Sequence, residues 1–545
     1  MQRPASALFR FNRERQEIIE QVVERVTREA IRQAWQSPED ALEYRLHEAA
    51  FAELSRLDSG DTSRFGQDYQ FWRDVAHRVG RAGEEENAEL LNRIVVRYAR
   101  DIAGHFRANV FRLATSVLPS SISLVFGKQQ VSDLLTLQPN LNALQQKVQI
   151  EGETGKLRQL AEIGTLIMVP THSSHMDSML MGWALNEVKL PPVTYGAETN
   201  LFSNPMTAFF MQNLGAYKVD RTQKHAIYKT VLKEYSRVLL ERGFHSLFFP
   251  GGHRSRNNQV ESRLKLGLLG TALDAYTSNV MARRPNPNVF IVPVTMNYNL
   301  VLEAETLIHE HLEFGERGRA IIEDDEFTDF RRIVNYVGTV LEMDSPLSIR
   351  FGTPMDVFGN QVDIDGESID LQGRRVDPER YLWIDGVPRS DRDRDRQYTK
   401  LLGDRVIESF RANTVIQPLH IVSFAVFEHL RRQHPNWDLQ KVLRFSRGEK
   451  IGLTIVEGET ERLVRLVRRD AEEGTLRLSR SARTMSARQM VDEAIRYWRA
   501  YHTHPVATVE LSEIRLGAVD LLHFYANRLA GYDLERRLRT PGGYR

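Results

Sequence analysis

The 545-residue chain contains no cysteine. Disulfides, thiolate-bound zinc and a cysteine nucleophile are thereby excluded, and the composition suits a reducing compartment. No stretch reaches the roughly 18 to 20 apolar residues that a membrane-spanning helix requires, so any meeting with lipid is expected at a surface. The first residues, MQRPASALFRFNRERQ, are basic but lack the apolar centre of a secretory signal. An excess of charge is missing as well. Lys and Arg number 73 against 72 Asp and Glu, a formal net charge of +1, so no global field argues for nucleic acid as a partner. A phosphate-binding glycine loop is absent; GETGKL, from Gly152, lacks its spacing and reads as a turn. There is no internal repeat.

The rest of the composition is that of a soluble globular protein, 41% hydrophobic and 27% charged. Its length calls for two to four packed units. Residues 1–150 read as a helical N-terminal region, because IIEQVVERVTREAIRQAW and AELLNRIVVRYARDIAGHFRANVFRLA place apolar groups three and four apart. Over residues 151–357 short apolar runs alternate with helical stretches, as in TLIMVP then SMLMGWALNEV, and SLFFP then LKLGLLGTALDAY. That alternation predicts an α/β domain with a mainly parallel sheet and active groups at the carboxyl ends of its strands. Residues 358–398 are rich in glycine and charge and read as an exposed insert or linker. RDRDR within them is taken as solvated, with a phosphate contact as the alternative. Residues 399–545 return to helical periodicity.

One stretch concentrates chemistry: LIMVPTHSSHMDSMLMGW, Leu166 to Trp183. A strand ending at Pro170 would lead into a helix capped by Ser174. Asp177 would then lie three residues past the cap, where a carboxylate suits the exposed amides. The stretch therefore has a bland reading as a capping box and a sharper one as a proton-transfer pair. Residues five apart on one helix point ~140° apart, so His172 and Asp177 meet only if the histidine lies on the preceding turn. Asp177 would then hold one ring nitrogen and leave the other as a base. His175 is expected on the first helical turn, facing elsewhere. A metal held by His172, His175 and Asp177 lacks further ligands, and none is expected.

Three later segments suit an anion. Gly215 in NLGAYKVDR precedes Arg221, and Gly251 and Gly252 in SLFFPGGHRSR precede Arg254 and Arg256. Guanidinium groups and amides on a glycine turn fit a phosphate; taken singly, each reads first as a surface charge or a plain turn. VFIVPVTMNYNLVLE adds a buried strand that ends at a proline-containing turn.

In this order the four blocks resemble the glycerolipid acyltransferase family, and within it the glycerol-3-phosphate 1-O-acyltransferases. His172 and Asp177 match its H-x4-D, and Gly215 and Arg221 match its second block. Phe249, Gly252, Arg254, Ser255 and Arg256 match F-x-E-G-x-R-S-R, and Pro293 is central to the fourth block. Lys265 and Gly267 in LKLGLL, then IRFGTPMDV and ANTVIQPLHIVSFAV, extend the likeness to about half the chain. Two departures stand out. Ser173 occupies a place where arginine is usual, and Gly251, followed by His253, stands where the family has glutamate.

The resemblance implies an α/β acyltransferase domain that moves a fatty acyl group from acyl-CoA or acyl-carrier protein to the sn-1 hydroxyl of glycerol 3-phosphate, giving lysophosphatidic acid. His172 would be the base and Asp177 its orienting carboxylate. Gly215, Arg221, Gly251, Gly252, Arg254, Ser255, Arg256, Lys265 and Pro293 would form the substrate site. Amides at the helix start or at Gly251–Gly252 would steady the oxyanion. No cofactor is implied beyond the acyl donor. PMTAFFMQNLGAY offers apolar surface for the acyl chain or core, and attachment is expected to be peripheral, on the cytoplasmic membrane face. The departures keep two alternatives open: an acyltransferase for lysophosphatidate, dihydroxyacetone phosphate or another alcohol, and a non-catalytic lipid- or phosphate-binding protein.

Overall fold

A computed structural model describes residues 7–36, 41–58, 66–112, 148–202, 205–314, 347–500 and 502–539. The described residues of the N-terminal region include the helices Phe11–Gln36, Leu42–Asp58, Gly66–Val79 and Glu84–Ile102. Their apolar stripes, with Ile18, Val22 and Val26 on the first and Leu90, Ile94 and Tyr98 on the fourth, close over Tyr217, Tyr235 and Phe244 of the following domain.

That domain is built on a seven-stranded sheet. Its strands are β1 Val148–Glu151, β2 Thr165–Pro170, β3 Thr194–Glu198, β4 Ala216–Val219, β5 Ser246–Leu247, β6 Val289–Asn297 and β7 Leu347–Phe351. They lie in the order β1-β7-β6-β2-β5-β3-β4. The five from β6 to β4 are parallel, whereas β7 runs antiparallel to β6 and carries β1 beside it. The mainly parallel sheet is the one the alternation predicts. β1 straddles residue 150, in a stretch with no strand signal. Every residue of β2 and β6 is buried, which is why both read as unbroken apolar runs.

Two local expectations need correction. β6 does not end near Pro293 but continues to Asn297. The proline falls where β6 changes neighbour: Ile291 pairs with Met355, Pro293 accepts from the Gly352 amide, and Val294 is already paired with Phe351. A residue without an N–H costs least there. RDRDR is not a solvated coil either. It forms the first turn of the helix Arg392–Asn413, where Asp391 accepts the Arg394 amide and acidic residues suit the positive end of the helix.

In the C-terminal region the helix Pro418–Gln433 is buried on nearly all sides by the helices Leu453–Glu472, Ala487–Ala500 and Val519–Ala526. Its core is continuous with that of the sheet. Among the described residues no helix is long and apolar enough to cross a membrane. The segments after β2, β4 and β5 emerge at the carboxyl edge of the parallel strands and carry the first block, Arg221 of the second and the third, whereas Gly215 precedes β4 and the fourth block lies on β6 itself.

Candidate active site

β2 hands the chain to a loop in which Asp177, fully buried, gathers four donors. Its Oδ2 accepts from His172 Nδ1 at 2.8 Å and from the amides of Ser173 and Ser174 at 2.7 and 3.0 Å; its Oδ1 accepts from the Tyr298 hydroxyl. The helix begins only at Asp177, and Met176 caps it without a side-chain bond. The capping box led by Ser174 is therefore only half formed: Asp177 accepts from the Ser174 amide, but its own amide bonds to the Ser174 carbonyl rather than to the hydroxyl. Ser174 Oγ instead accepts from the Met176 amide and donates to Glu303. His175 also precedes the helix, and its amide donates to Glu303 at 2.9 Å.

The bond to Asp177 places the proton on Nδ1 of His172, leaving a lone pair on Nε2. Among the described residues Nε2 has no hydrogen-bond partner. The side chain is 16% exposed, and its ring stacks on Phe249 with centroids 4.1 Å apart. Burial pushes the imidazole pKa below its ordinary value; Asp177 pulls the other way, and His175 and Arg254 add to the lowering. The neutral, proton-accepting form is thus favoured.

The glycine turn after β5 clamps the same histidine. The Ser255 amide donates to the His172 carbonyl at 2.8 Å, and the His172 amide donates to Glu261 Oε1 at 2.8 Å. Gly252 has φ +82°, a conformation glycine adopts without strain, and the Lys265 stem lies where a side chain at 252 would project. Ser255 Oγ is bonded to the Gln259 carbonyl.

The three block arginines do not form a bare cationic pocket. Arg221 Nη1 lies 3.1 Å from His253 Nδ1 and 3.4 Å from Glu198, which ties the second block to the third. Arg256 is bonded to Glu310 at 2.9 Å, and Arg254 lies 3.7 Å from Glu310 and 3.9 Å from Glu303. Gly215, at φ +91°, turns the chain into β4. Pro293 lies buried within β6 and is a framework residue. The amides of Ser173, Ser174, His175, Met176 and Gly252 all donate within the protein, so these five are not open to an oxyanion.

Several residues carry no sequence signal of their own. Tyr298 directly follows β6, and its place beside the fourth block is the one available hint. Glu261, Glu303 and Glu310 reach the site only through tertiary folding. Burial raises the carboxyl pKa of Glu261 and of Glu303. Arg528, from the C-terminal region, is buried against the end of β6; its Nη2 donates to the Met296 carbonyl at 3.1 Å and to Asn297 Oδ1 at 3.3 Å.

A family model described as Acyltransferase matches residues 150–297, the span holding all four blocks. The chain is similar to proteins named glycerol-3-phosphate acyltransferase. That of Aeromonas hydrophila is 31% identical over 200 residues, covering 36% of this chain and 23% of the relative. That of Pseudomonas syringae is 25% identical over 348 residues, or 64% and 36%. That of Haemophilus ducreyi is 34% identical over 171 residues, or 31% and 20%. The matches thus span about a fifth to a third of the relatives' own length. The solved 1-acyl-sn-glycerophosphate acyltransferase of Thermotoga maritima aligns at 14% identity, over 56% of this chain and 94% of that one, with a TM-score of 0.24.

Proposed function

With its α/β domain belonging to the glycerolipid acyltransferase family, on the glycerol-3-phosphate acyltransferase branch, we propose that this chain transfers a fatty acyl group from a thioester to the sn-1 hydroxyl of glycerol 3-phosphate. The product is lysophosphatidic acid, a precursor of phospholipids. The observation that carries the reading is the 2.8 Å bond from His172 Nδ1 to a four-donor Asp177, with Nε2 left over beside the arginine loop.

The acceptor hydroxyl attacks the thioester carbonyl as Nε2 takes its proton. The tetrahedral adduct collapses, the C–S bond breaks, and the imidazolium returns the proton to the departing thiolate. Ester and thiol leave with the enzyme unchanged, and no acyl-enzyme is needed. Asp177 holds the ring and stabilises the imidazolium. Such a base contributes roughly 10²- to 10⁴-fold. Arg221, Arg254 and Arg256 receive the phosphate, which replaces carboxylates at the latter two. Lys265 adds charge at the rim.

The donor is acyl-CoA or acyl-carrier protein, with no further cofactor and no nucleic acid. Attachment is peripheral, at the cytoplasmic membrane face. Phe209, 45% exposed on the helix Pro205–Asn213, supports an apolar contact there.

The test incubates purified protein with each labelled donor and with glycerol 3-phosphate, lysophosphatidate, dihydroxyacetone phosphate and a non-phosphorylated alcohol. Labelled lysophosphatidic acid is expected from the first acceptor. Transfer only to another acceptor replaces this assignment with the related-acyltransferase one. Phospholipid binding without any transfer replaces it with a binding protein.

A further inference from the structure

Glu261 is an ionisable group brought to the centre of the site, and the chain makes room for it. A Cβ at Gly251 would lie 3.1 Å from Glu261 Cγ and 3.5 Å from its Oε1. The backbone at 251 is in no glycine-only conformation, so what a side chain lacks there is space, and Glu261 occupies it. The loop is closed behind it by the Lys265 amide, which donates to the Pro250 carbonyl at 2.7 Å. The carboxylate accepts from the His172 amide and from the amide of Glu261 itself. A carboxylate has about four acceptor positions, so half of them remain. Sheltering such a group from water is costly unless it has partners, and a glutamine would hold the His172 amide equally well. The nearby Arg528 guanidinium offsets part of that charge, and the open acceptor positions call for a further donor.

We propose that Glu261 is the specificity-determining residue for the acceptor: its carboxylate receives a hydrogen bond from the hydroxyl next to the one being acylated. The inference rests on the acyl-transfer reading above and names its acceptor class, a phosphorylated vicinal diol. A group that only accepts hydrogen bonds favours a neighbouring hydroxyl and repels a ketone oxygen at the same position. Glycerol 3-phosphate has that hydroxyl, and dihydroxyacetone phosphate has a carbonyl in its place. Held to the His172 backbone, the carboxylate fixes the diol relative to the base. Gly251 is the opening that admits it.

The test compares Glu261→Gln with wild type on both acceptors. Glutamine keeps the bond to the His172 amide but loses the charge and can donate to a ketone. The proposal expects KM for glycerol 3-phosphate to rise about 10- to 100-fold while kcat changes little, and the preference for the diol over the ketone to fall. An unchanged KM and preference in an active, folded Glu261→Gln variant would overturn it and leave Glu261 as a loop staple. Moving the carboxylate gives a second check: Gly251→Glu alone should impair the enzyme by collision with Glu261, and Gly251→Glu with Glu261→Ala should recover the diol preference. Failure of the pair to recover it while Gly251→Glu alone is harmless also overturns the proposal. Calorimetric titration of wild type with glycerol 3-phosphate separates the two levels. A wild type that neither binds nor acylates it removes the acyl-transfer reading and this inference together, whereas an active wild type with an unaltered Gln variant removes only the inference.

Discussion

Among the described residues, the histidine–carboxylate pairs of His225 with Glu53 and of His172 with Asp177 differ in what each ring has left to offer. In the N-terminal region Glu53 Oε1 sits 3.4 Å from His225 Nε2, the Tyr98 hydroxyl shares that nitrogen at 2.9 Å, and His225 Nδ1 accepts from the Tyr228 amide. Both ring nitrogens are used, and the ring is almost wholly enclosed. Burial pushes the Glu53 carboxyl up, but His225 and Arg56 outweigh it and bring it below its ordinary range. This pair joins the helix Leu42–Asp58 to the start of the helix Ala226–Glu241 and acts as a structural bolt. At the site, Asp177 takes one nitrogen of His172 and leaves the other. A histidine beside a carboxylate is thus no sign of catalysis by itself; what matters is whether a nitrogen remains within reach of a substrate.

The comparison is sharpest under substitution. His172→Ala should lower kcat/KM by roughly 10²- to 10⁴-fold without moving the melting temperature much. His225→Ala should do the reverse, costing about 1 to 3 kcal/mol of stability because Tyr98 and Glu53 lose a buried partner while Arg56 stays on Glu53, with kcat nearly unchanged in the folded fraction. Steady-state kinetics and thermal melts on both variants check this, and equal effects on both would erase the distinction. Asp177→Asn should follow in size. The amide cannot accept from all four donors, and a loss on the order of 10²-fold is expected. Tyr298→Phe removes one of those donors, and about a tenfold loss in kcat is expected from a single hydrogen bond to a charged group.

The smallest expected effect is a displacement along the pH axis. His172 must be neutral to act, and its pKa is depressed, so the acid limb of kcat/KM should lie below pH 6.5. Arg254 contributes to the depression; Arg254→Gln should move the limb upward, apart from any change in KM. The same sign governs stability, because a base depressed in the folded state stabilises the protein above its unfolded pKa and loses that as pH falls toward the folded value. His245 and His420, pushed down to about 4 and about 3 by burial, add to acid lability between pH 6.5 and 3. A stability profile flat over that range would contradict the burial of all three.

The sheet was legible because β2 and β6 are long, apolar and followed by helical periods, and the dyad because its spacing fits a loop better than a helix. The charges around it were not. The sequence offers Arg254 and Arg256 as open anion ligands, and folding brings Glu303 and Glu310 against them from a turn and the helix Ala304–Phe314 that follows it, some fifty residues on. Nothing local to Glu261 announces that it fills the space at Gly251. Tyr298 falls one residue past a strand whose end the proline obscured. Apart from Gly251, ten positions from Glu261, the decisive neighbours are distant along the chain, and single-sequence pattern carries little about such pairs. The placement of Arg221 near His253 was likewise invisible, though each lies in a block that the pattern does pick out.

Arg528 gives the molecule a schedule. The carbonyl it holds on β6 belongs to a residue 232 positions earlier. At the ordinary pace of translation, about 5 to 20 residues per second, that strand waits roughly 10 to 50 s for its guanidinium. A nascent chain therefore carries the histidine, the aspartate and the arginine loop long before the floor beneath them is finished, and the assembled site is a late event in the making of the protein.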